Sequence, residues 1–222
     1  MTQFHETMSL VIRPYAPGDR SGVREICCET GDRGEPVDGL FEDRDVFADL
    51  VTRYYTDDEP QSTWIAEDGG RIVGYLTGCL DTGRYERVLL RRVIPRAFVK
   101  AVLRGGLFSR RTWRWARAGW HTQQTRWGQW QSSLASYPAH FHVNIRRGFR
   151  GQRLGERLVE RFLDAVRAAG LPGVHVAVRA DNAASCRFFE RMGFLELERR
   201  RVWFPAAASY EPHETILYGT RV

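Results

Sequence analysis

The stretch FHVNIRRGFRGQRLGERLVERF, residues 141–162, limits the fold of this chain more than any other. It begins as an apolar strand and ends as an amphipathic helix. Between them lies a turn holding two glycines and the arginines Arg146, Arg147, Arg150 and Arg153. The first turn of a helix presents N–H groups without intrahelical partners, at the positive end of the helix dipole. Glycines let a ligand approach such a backbone closely, so the pattern predicts an anion held at the helix start. The turn lacks the lysine and the Ser or Thr of a G-x-x-x-x-G-K-[ST] loop, and it is not G-x-G-x-x-G. A solvated arginine-rich turn would look the same in isolation, so the flanking sequence has to decide.

Around this turn the chain reads as strands and helices in a fixed order. LVIRPY predicts a strand, and the helix after it puts Val23, Ile26 and Cys27 on one face. A second helix over about 42–56 carries Phe47, Leu50, Val51 and Tyr54 in register. STWIAED and RIVGYLTGCL, joined by two glycines, form a hairpin. The first part is therefore β-α-α-β-β. AHFHVNI (139–145) is the next strand, and the helix following it aligns Leu154, Leu158, Val159, Phe162, Leu163 and Val166. It ends at Gly170-Leu171-Pro172. GVHVAVRA (173–180), a short helix capped by Asp181 or Asn182, and two closing strands complete β-α-β-α-β-β. The expected class is α/β (α+β), in a single domain over 1–222.

Residues 84–137 interrupt this order. They contain Pro95, a Gly105-Gly106 break and five of the seven tryptophans, and they predict two or three short amphipathic helices. Charge is polarised around them. Residues 29–59 hold eleven Asp and Glu against three Arg, whereas 84–137 hold eleven Arg and one Lys against Glu86 alone. Basic charge interleaved with aromatics suits single-stranded nucleic acid or an anionic membrane surface. No nucleic-acid fold motif accompanies it, and both partners are set aside for a lid or a dimer interface. The four cysteines form no C-x-x-C pair and no metal-ligand spacing, which predicts reduced thiols and a cytoplasmic protein. No apolar run approaches the roughly 18–20 residues of a membrane span.

Two motifs in sequence order carry a resemblance to the GNAT superfamily of N-acetyltransferases. RGQRLG (150–155) resembles the family's phosphate loop, [QR]-x-x-G-x-[GA], at Arg150 and Gly155, with Arg153 where glycine is usual. NAASCRFFERMGF (182–194) resembles N-x-x-A-x-x-[FL]-Y-x-x-x-G-F at Asn182, Phe188, Gly193 and Phe194. Ser185 and Phe189 replace its Ala and Tyr. The YPAHFHVNI run and the long insertion are similar to bacterial acetyltransferases related to the domain appended to some O-GlcNAc hydrolases. The resemblance implies a mixed, mostly antiparallel central sheet flanked by helices, with a V-shaped gap between the strands at 139–145 and 173–180. It implies acetyl-CoA as co-substrate, with transfer to a primary amine of a small molecule or protein. Backbone groups of Val143 and Ile145 would meet the pantetheine arm and acetyl carbonyl. Arg150, Gly151, Gln152, Arg153, Leu154 and Gly155 would hold the pyrophosphate, and Asn182 would reach pantetheine or an ordered water. Phe189 stands where relatives carry the tyrosine that protonates the departing thiolate.

His142 and His140 are the candidate general bases, because imidazole titrates near neutral pH and both lie on the strand beside the expected reaction centre. Their i, i+2 spacing puts them on one face, but no third ligand is evident and no metal is expected. Glu29, Asp32, Glu35 and Asp38 are candidates for attracting a cationic amine. The competing reading is a coenzyme A-binding or nucleic-acid-associated module that keeps the fold with little transfer, suggested by Phe189 and the basic insertion.

Overall fold

The chain is described in a computed structural model over residues 10–41, 43–105, 135–205 and 210–222, with residues 110, 113, 114, 116, 117 and 120 placed between them. Its elements run β1 (Leu10–Pro14), α1 (Arg20–Thr30), α2 (Arg44–Asp57), β2 (Thr63–Asp68), β3 (Arg71–Cys79), α3 (Thr82–Val88), α4 (Ile94–Leu103), β4 (Ala139–Ile145), α5 (Leu154–Ala168), β5 (Gly173–Arg179), α6 (Ala183–Arg191), β6 (Leu195–Pro205) and β7 (Tyr210–Arg221). Both halves follow the order that periodicity predicts. The strands form one sheet in the order β1-β2-β3-β4-β5-β7-β6, antiparallel everywhere except between β4 and β5. This is the mixed, mostly antiparallel sheet flanked by helices that the sequence implies.

Helices cover both faces of the sheet. On one face α5 buries all six predicted residues, Leu154, Leu158, Val159, Phe162, Leu163 and Val166, against Ala66, Leu76, Phe141 and Val174. At roughly 1.5–3 kcal/mol per buried large apolar side chain, this seam outweighs every exposed ion pair on the helix. It fixes where the N-terminus of α5 points. Helix α6 joins the same core through Cys186 and Phe189. On the other face α1 and α2 pack Val23, Ile26, Val46 and Phe47 against Ile65 and Tyr75.

The insertion starts earlier than its composition suggests. Asp81 caps α3 by accepting from the Arg84 amide, and a π-helical turn at Leu89–Val93 carries α3 directly into α4. Pro95 sits in the first turn of α4, directly after the π-helical turn. Val93, Ala97 and Ala101 are buried, the two alanines in the core that α1 and α2 share. The first helix of the insertion is thus part of the body of the domain. The further expected helices fall largely outside the described residues, although those described between 110 and 120 are helical. All four cysteines are free and buried.

One glycine marks how tightly α5 is seated. A Cβ at Gly78 of β3 would come within 2.3 Å of the Phe162 ring and 2.7 Å of the Ser62 carbonyl. Gly78→Ala is expected to cost about 1–3 kcal/mol through overpacking. Denaturant unfolding at neutral pH measures it, and an unchanged midpoint would show that α5 tolerates displacement.

Candidate active site

The site begins where two strands part. β4 and β5 pair in parallel only at Ala139 with Val174 and His140 with His175. Beyond His140, β4 remains paired with β3 as far as Ile145, and β5 remains paired with β7 along its whole length. A gap therefore opens between β4 and β5, as the family resemblance implies. Backbone groups of successive strand residues point to opposite sides, and here their phase is fixed. The Arg146 amide donates to the Val73 carbonyl at 2.9 Å, so His140, His142 and Asn144 direct their backbone groups at β3. Phe141, Val143 and Ile145 then turn theirs into the gap. The Ile145 carbonyl accepts from Arg150 Nε at 3.0 Å, in keeping with that phase.

The turn from β4 to α5 closes one end of the gap. Gly151 has φ +80° and Arg153 has φ +57°, the left-handed region. Arg153 occupies this conformation at the position where the resembling motif usually has glycine, at a cost of roughly 1–2 kcal/mol. The backbone amides of Gly151 through Glu156 have no hydrogen-bond partner among the described residues. The four arginines of the turn do different things. Arg146 turns onto α1 and pairs with Glu25 at 2.8 Å and Glu29 at 3.5 Å. Arg147 and Arg153 are exposed, within 3.9 Å of Glu35 and 2.7 Å of Glu156. Arg150 also donates to the Gly34 carbonyl at 2.7 Å, tying the turn to the loop after α1. Gly155 lies close to Phe188 and Ile145, and a Cβ there would stand 3.3 Å from the Phe188 ring.

The opposite lip is the β5–α6 turn. Asn182 is the N-cap of α6, accepting from the Ser185 amide at 3.2 Å. Asp181 pairs with Arg179 at 2.6 Å and with Arg33 at 3.2 Å. The Arg179 guanidinium holds the Asp181 carboxyl below the usual carboxylate range. The loop from Gly31 to Pro36 thus reaches both lips. A cavity of about 350 Å³ lies between this loop and α6, lined by Asp32, Arg33, Glu35, Asp181 and Asn182. Phe189 is buried among Phe141, Phe188, Phe194 and Tyr218, with ring centroids 5.0–6.3 Å away.

The two candidate bases occupy unlike surroundings. His140 is buried, and both of its ring nitrogens are engaged. Thr82 Oγ1 lies 2.7 Å from His140 Nδ1 and donates its single proton to the Pro138 carbonyl. Nδ1 must then carry the imidazole proton and donate to Thr82, so Nε2 accepts from the Tyr55 hydroxyl at 2.9 Å. Burial pushes His140 far below the usual histidine range, with His175 and His142 adding to the shift. His142 is exposed on one side, and its ring lies against those of Tyr55 and His140. That surrounding, and then His175, pushes it down to about 4. It is neutral throughout the physiological range, with its ring edge-on to Tyr55 at 5.7 Å. His175 donates from Nδ1 to the Tyr137 carbonyl at 2.7 Å, and burial lowers it too.

Three residues around His140 escaped the sequence reading: Tyr55, Thr82 and Tyr85. The Tyr85 ring lies 4.8 Å from His140 and 5.5 Å from Tyr55, and burial pushes its hydroxyl up to about 12. The adjacent tyrosines on the inner face of α2 were the available signal for Tyr55. The proposed acidic attractors are all engaged: Glu29 with Arg146, Asp32 with Arg33, Glu35 with Arg147 and Asp38 with Arg44. Among the described residues, no group of three or more His, Cys, Asp or Glu is arranged to hold a metal ion.

Three histidines held neutral in the fold make stability depend on pH. An unfolded imidazole takes up a proton near pH 6.5, whereas these resist protonation. Their stabilisation is complete above about 6.5 and is lost as pH falls toward about 4. Stability is expected to drop between about pH 7 and 5, with the fully buried His140 contributing up to about 1.4 kcal/mol per pH unit. Chemical denaturation of wild type and His140→Asn checks it, and the variant should show the shallower dependence.

Comparison with known proteins places this geometry. Residues 128–194 match the model of the Acetyltransferase (GNAT) family. The [ribosomal protein bS18]-alanine N-acetyltransferase of Salmonella typhimurium is 32% identical over 71 residues, which are 32% of this chain and 48% of that protein. The chain thus spans about half the length of the curated relatives it matches. The crystal structure of SsHAT superposes with a TM-score of 0.69 at 24% identity, covering 96% of this chain and 98% of the other. The structure of yncA from Salmonella typhimurium with its cofactor acetyl-CoA gives a TM-score of 0.58 at 13% identity, covering 96% and 94%. Residues 128–194 thus resemble the Acetyltransferase (GNAT) family, and the whole chain shares its fold with these solved structures.

Proposed function

We propose that this protein is an acetyl-CoA-dependent N-acetyltransferase acting on a primary amine of a small molecule or a protein. The observation that carries the reading is the continuity of two surfaces. The backbone edge of Val143 and Ile145 runs from the gap straight to the unpartnered amides of α5. An extended amide-containing arm ending in a pyrophosphate suits that path. Val143 and Ile145 supply backbone partners for the arm. The amides from Gly151 to Gly155, with Arg150 and Arg153, receive the pyrophosphate, and Asn182 faces it from the other lip. Phe189 forms part of the apolar wall. The curated relatives are N-acetyltransferases and one fold neighbour holds acetyl-CoA, which supports the donor. Four free, buried cysteines suit a reducing cytoplasm.

In this reading His142 takes the proton from the acceptor amine, because it is exposed on the strand that borders the gap. The nitrogen then attacks the thioester carbonyl, and the developing oxyanion is met by the Ile145 amide. The C–S bond breaks as the amide forms. Phe189 has no proton to give, so the thiolate leaves unprotonated or takes a proton from water. A thiol of pKa near 8.5 makes that tolerable. His140 acts one step back, holding Tyr55 and the wall of the base. Phe189 also favours a second reading, a coenzyme A-binding module with little transfer. Donor binding without turnover across a broad amine panel would decide for it.

Acetyl-CoA is expected to raise the thermal midpoint, and more so than pantetheine, which lacks the phosphates. Gly155→Glu should abolish the shift by placing bulk against Phe188 and negative charge at the helix start. No shift of wild type with millimolar acetyl-CoA would remove the donor assignment.

For the base, His142→Ala is expected to lower single-turnover rates by about 10²–10⁴ while leaving donor protection intact. His140→Ala should have the smaller effect. Wild-type rates in both variants over about pH 6–9 would leave these histidines a structural role only.

A further inference from the structure

The outward face of α4 has no counterpart in the chemistry above. Its inner seam, Ala97 and Ala101, packs with α1 and α2. Lys100 and Arg104 at the seam's edge pair with Asp49 and Asp43 of the α2 region. The side pointing away from α2 is mainly apolar, with Arg96 at its edge. Leu103 is 81% exposed, Phe98 57% and Val99 56%, with Ile94 and Val102 beside them at 40%. At 100° per residue these five span half the helix circumference, and no charged residue falls among them. A helix that is apolar on both faces belongs inside something. An apolar patch bordered by polar groups marks an interaction surface.

The border is cationic. Arg91 and Arg96 are exposed and make no ion pair among the described residues. Arg87, Arg110 and Arg114 are exposed too, and in the next segment the indoles of Trp113 and Trp120 are 58% and 61% exposed. The charge discriminates among occupants. A two-fold contact with a second copy would set Arg91 and Arg96 against their own equivalents. The nearby acids Asp43, Asp49 and Asp58 are already engaged by Arg104, Lys100 and Arg92. A nucleic acid offers phosphates, but it gains little from Ile94, Val99, Val102 and Leu103, which are not stacking surfaces. An anionic bilayer meets both requirements at once. Its acyl boundary takes the aliphatic face, its phosphates take the arginines, and indoles settle at its interface.

We propose that the outward face of α4, with Arg91 and Arg96 at its border, docks this protein peripherally on an anionic lipid surface. No helix among the described residues is long and apolar enough to cross a membrane, so the contact lies in the interface plane. This departs from the lid or dimer interface that composition alone suggested.

Co-sedimentation of the full chain with vesicles of phosphatidylcholine, with and without phosphatidylglycerol, tests it. Binding is expected only to vesicles containing phosphatidylglycerol, and it should weaken with added salt. A Phe98→Glu, Leu103→Glu double variant should lose binding at least tenfold while keeping the wild-type thermal midpoint and acetyl-CoA protection. Arg91→Gln and Arg96→Gln should each cost about fivefold. Absence of wild-type binding to anionic vesicles overturns the proposal, as does equal binding by the double variant. A collapse of the double variant's thermal midpoint would show that this chain itself covers the face. Conversion of a sedimenting dimer to monomer, without any effect on lipid binding, would assign the face to a second copy.

Discussion

Everything at the candidate site follows from the brevity of the pairing between β4 and β5. A strand has two hydrogen-bonding edges. β3 and β7 take the outer edges of this pair, and only two residues on each inner edge meet. The remainder of β4 keeps an edge of amides and carbonyls that β5 does not pair, of which Arg150 takes the Ile145 carbonyl. Such a row costs free energy unless something bonds to it. The hydrophobic seam of α5 brings the helix start beside the end of that row. A polar edge and an anion-receptive helix terminus are thereby held together by packing that has no polar component of its own.

The charge polarity of the sequence has a structural outcome that neither block shows alone. Cations of the α3–α4 stretch lie on acids of α2: Arg92 on Asp58, Lys100 on Asp49, Arg104 on Asp43 and Asp45. Asp49 is buried, and Arg24 and Lys100 hold it below the usual carboxylate range against the opposing effect of burial. The pairs with exposed partners are worth about 0–1 kcal/mol each, so they orient the helix more than they stabilise it.

Much of this was legible from the chain. The strands and α-helices outside the insertion follow the order that periodicity predicts, because local alternation and glycine or capping residues mark most of their ends. The six-residue face of α5 is the clearest case. The turn at 146–155 was legible as the break between a strand and a helix through its glycines and the apolar face that follows. What was not legible depends on contacts far apart in sequence. His140 reads as a free base on its strand, but Tyr55 and Thr82 arrive from 85 and 58 residues away to occupy its nitrogens. Arg146 reads as one more cation of the turn, yet α1 claims it through Glu25 and Glu29. The insertion reads as an appendage because arginine and tryptophan dominate its composition. Two alanines, Ala97 and Ala101, are what join it to the core.

The loop from Gly31 to Pro36 ties the two lips of the gap together. Arg150, from the turn after β4, donates to its Gly34 carbonyl, and Asp181, from the turn after β5, holds its Arg33. Any widening between the strands must lengthen one of these two ties. The Arg33–Asp181 tie joins half-exposed groups, and such a pair yields for no more than about 1 kcal/mol, close to thermal energy. The Arg150 tie is a hydrogen bond from a charged group, worth about 1.5–3 kcal/mol. The fastening is therefore lopsided: strain applied to the gap unhooks the loop at the β5 lip first, leaving it hinged on Arg150.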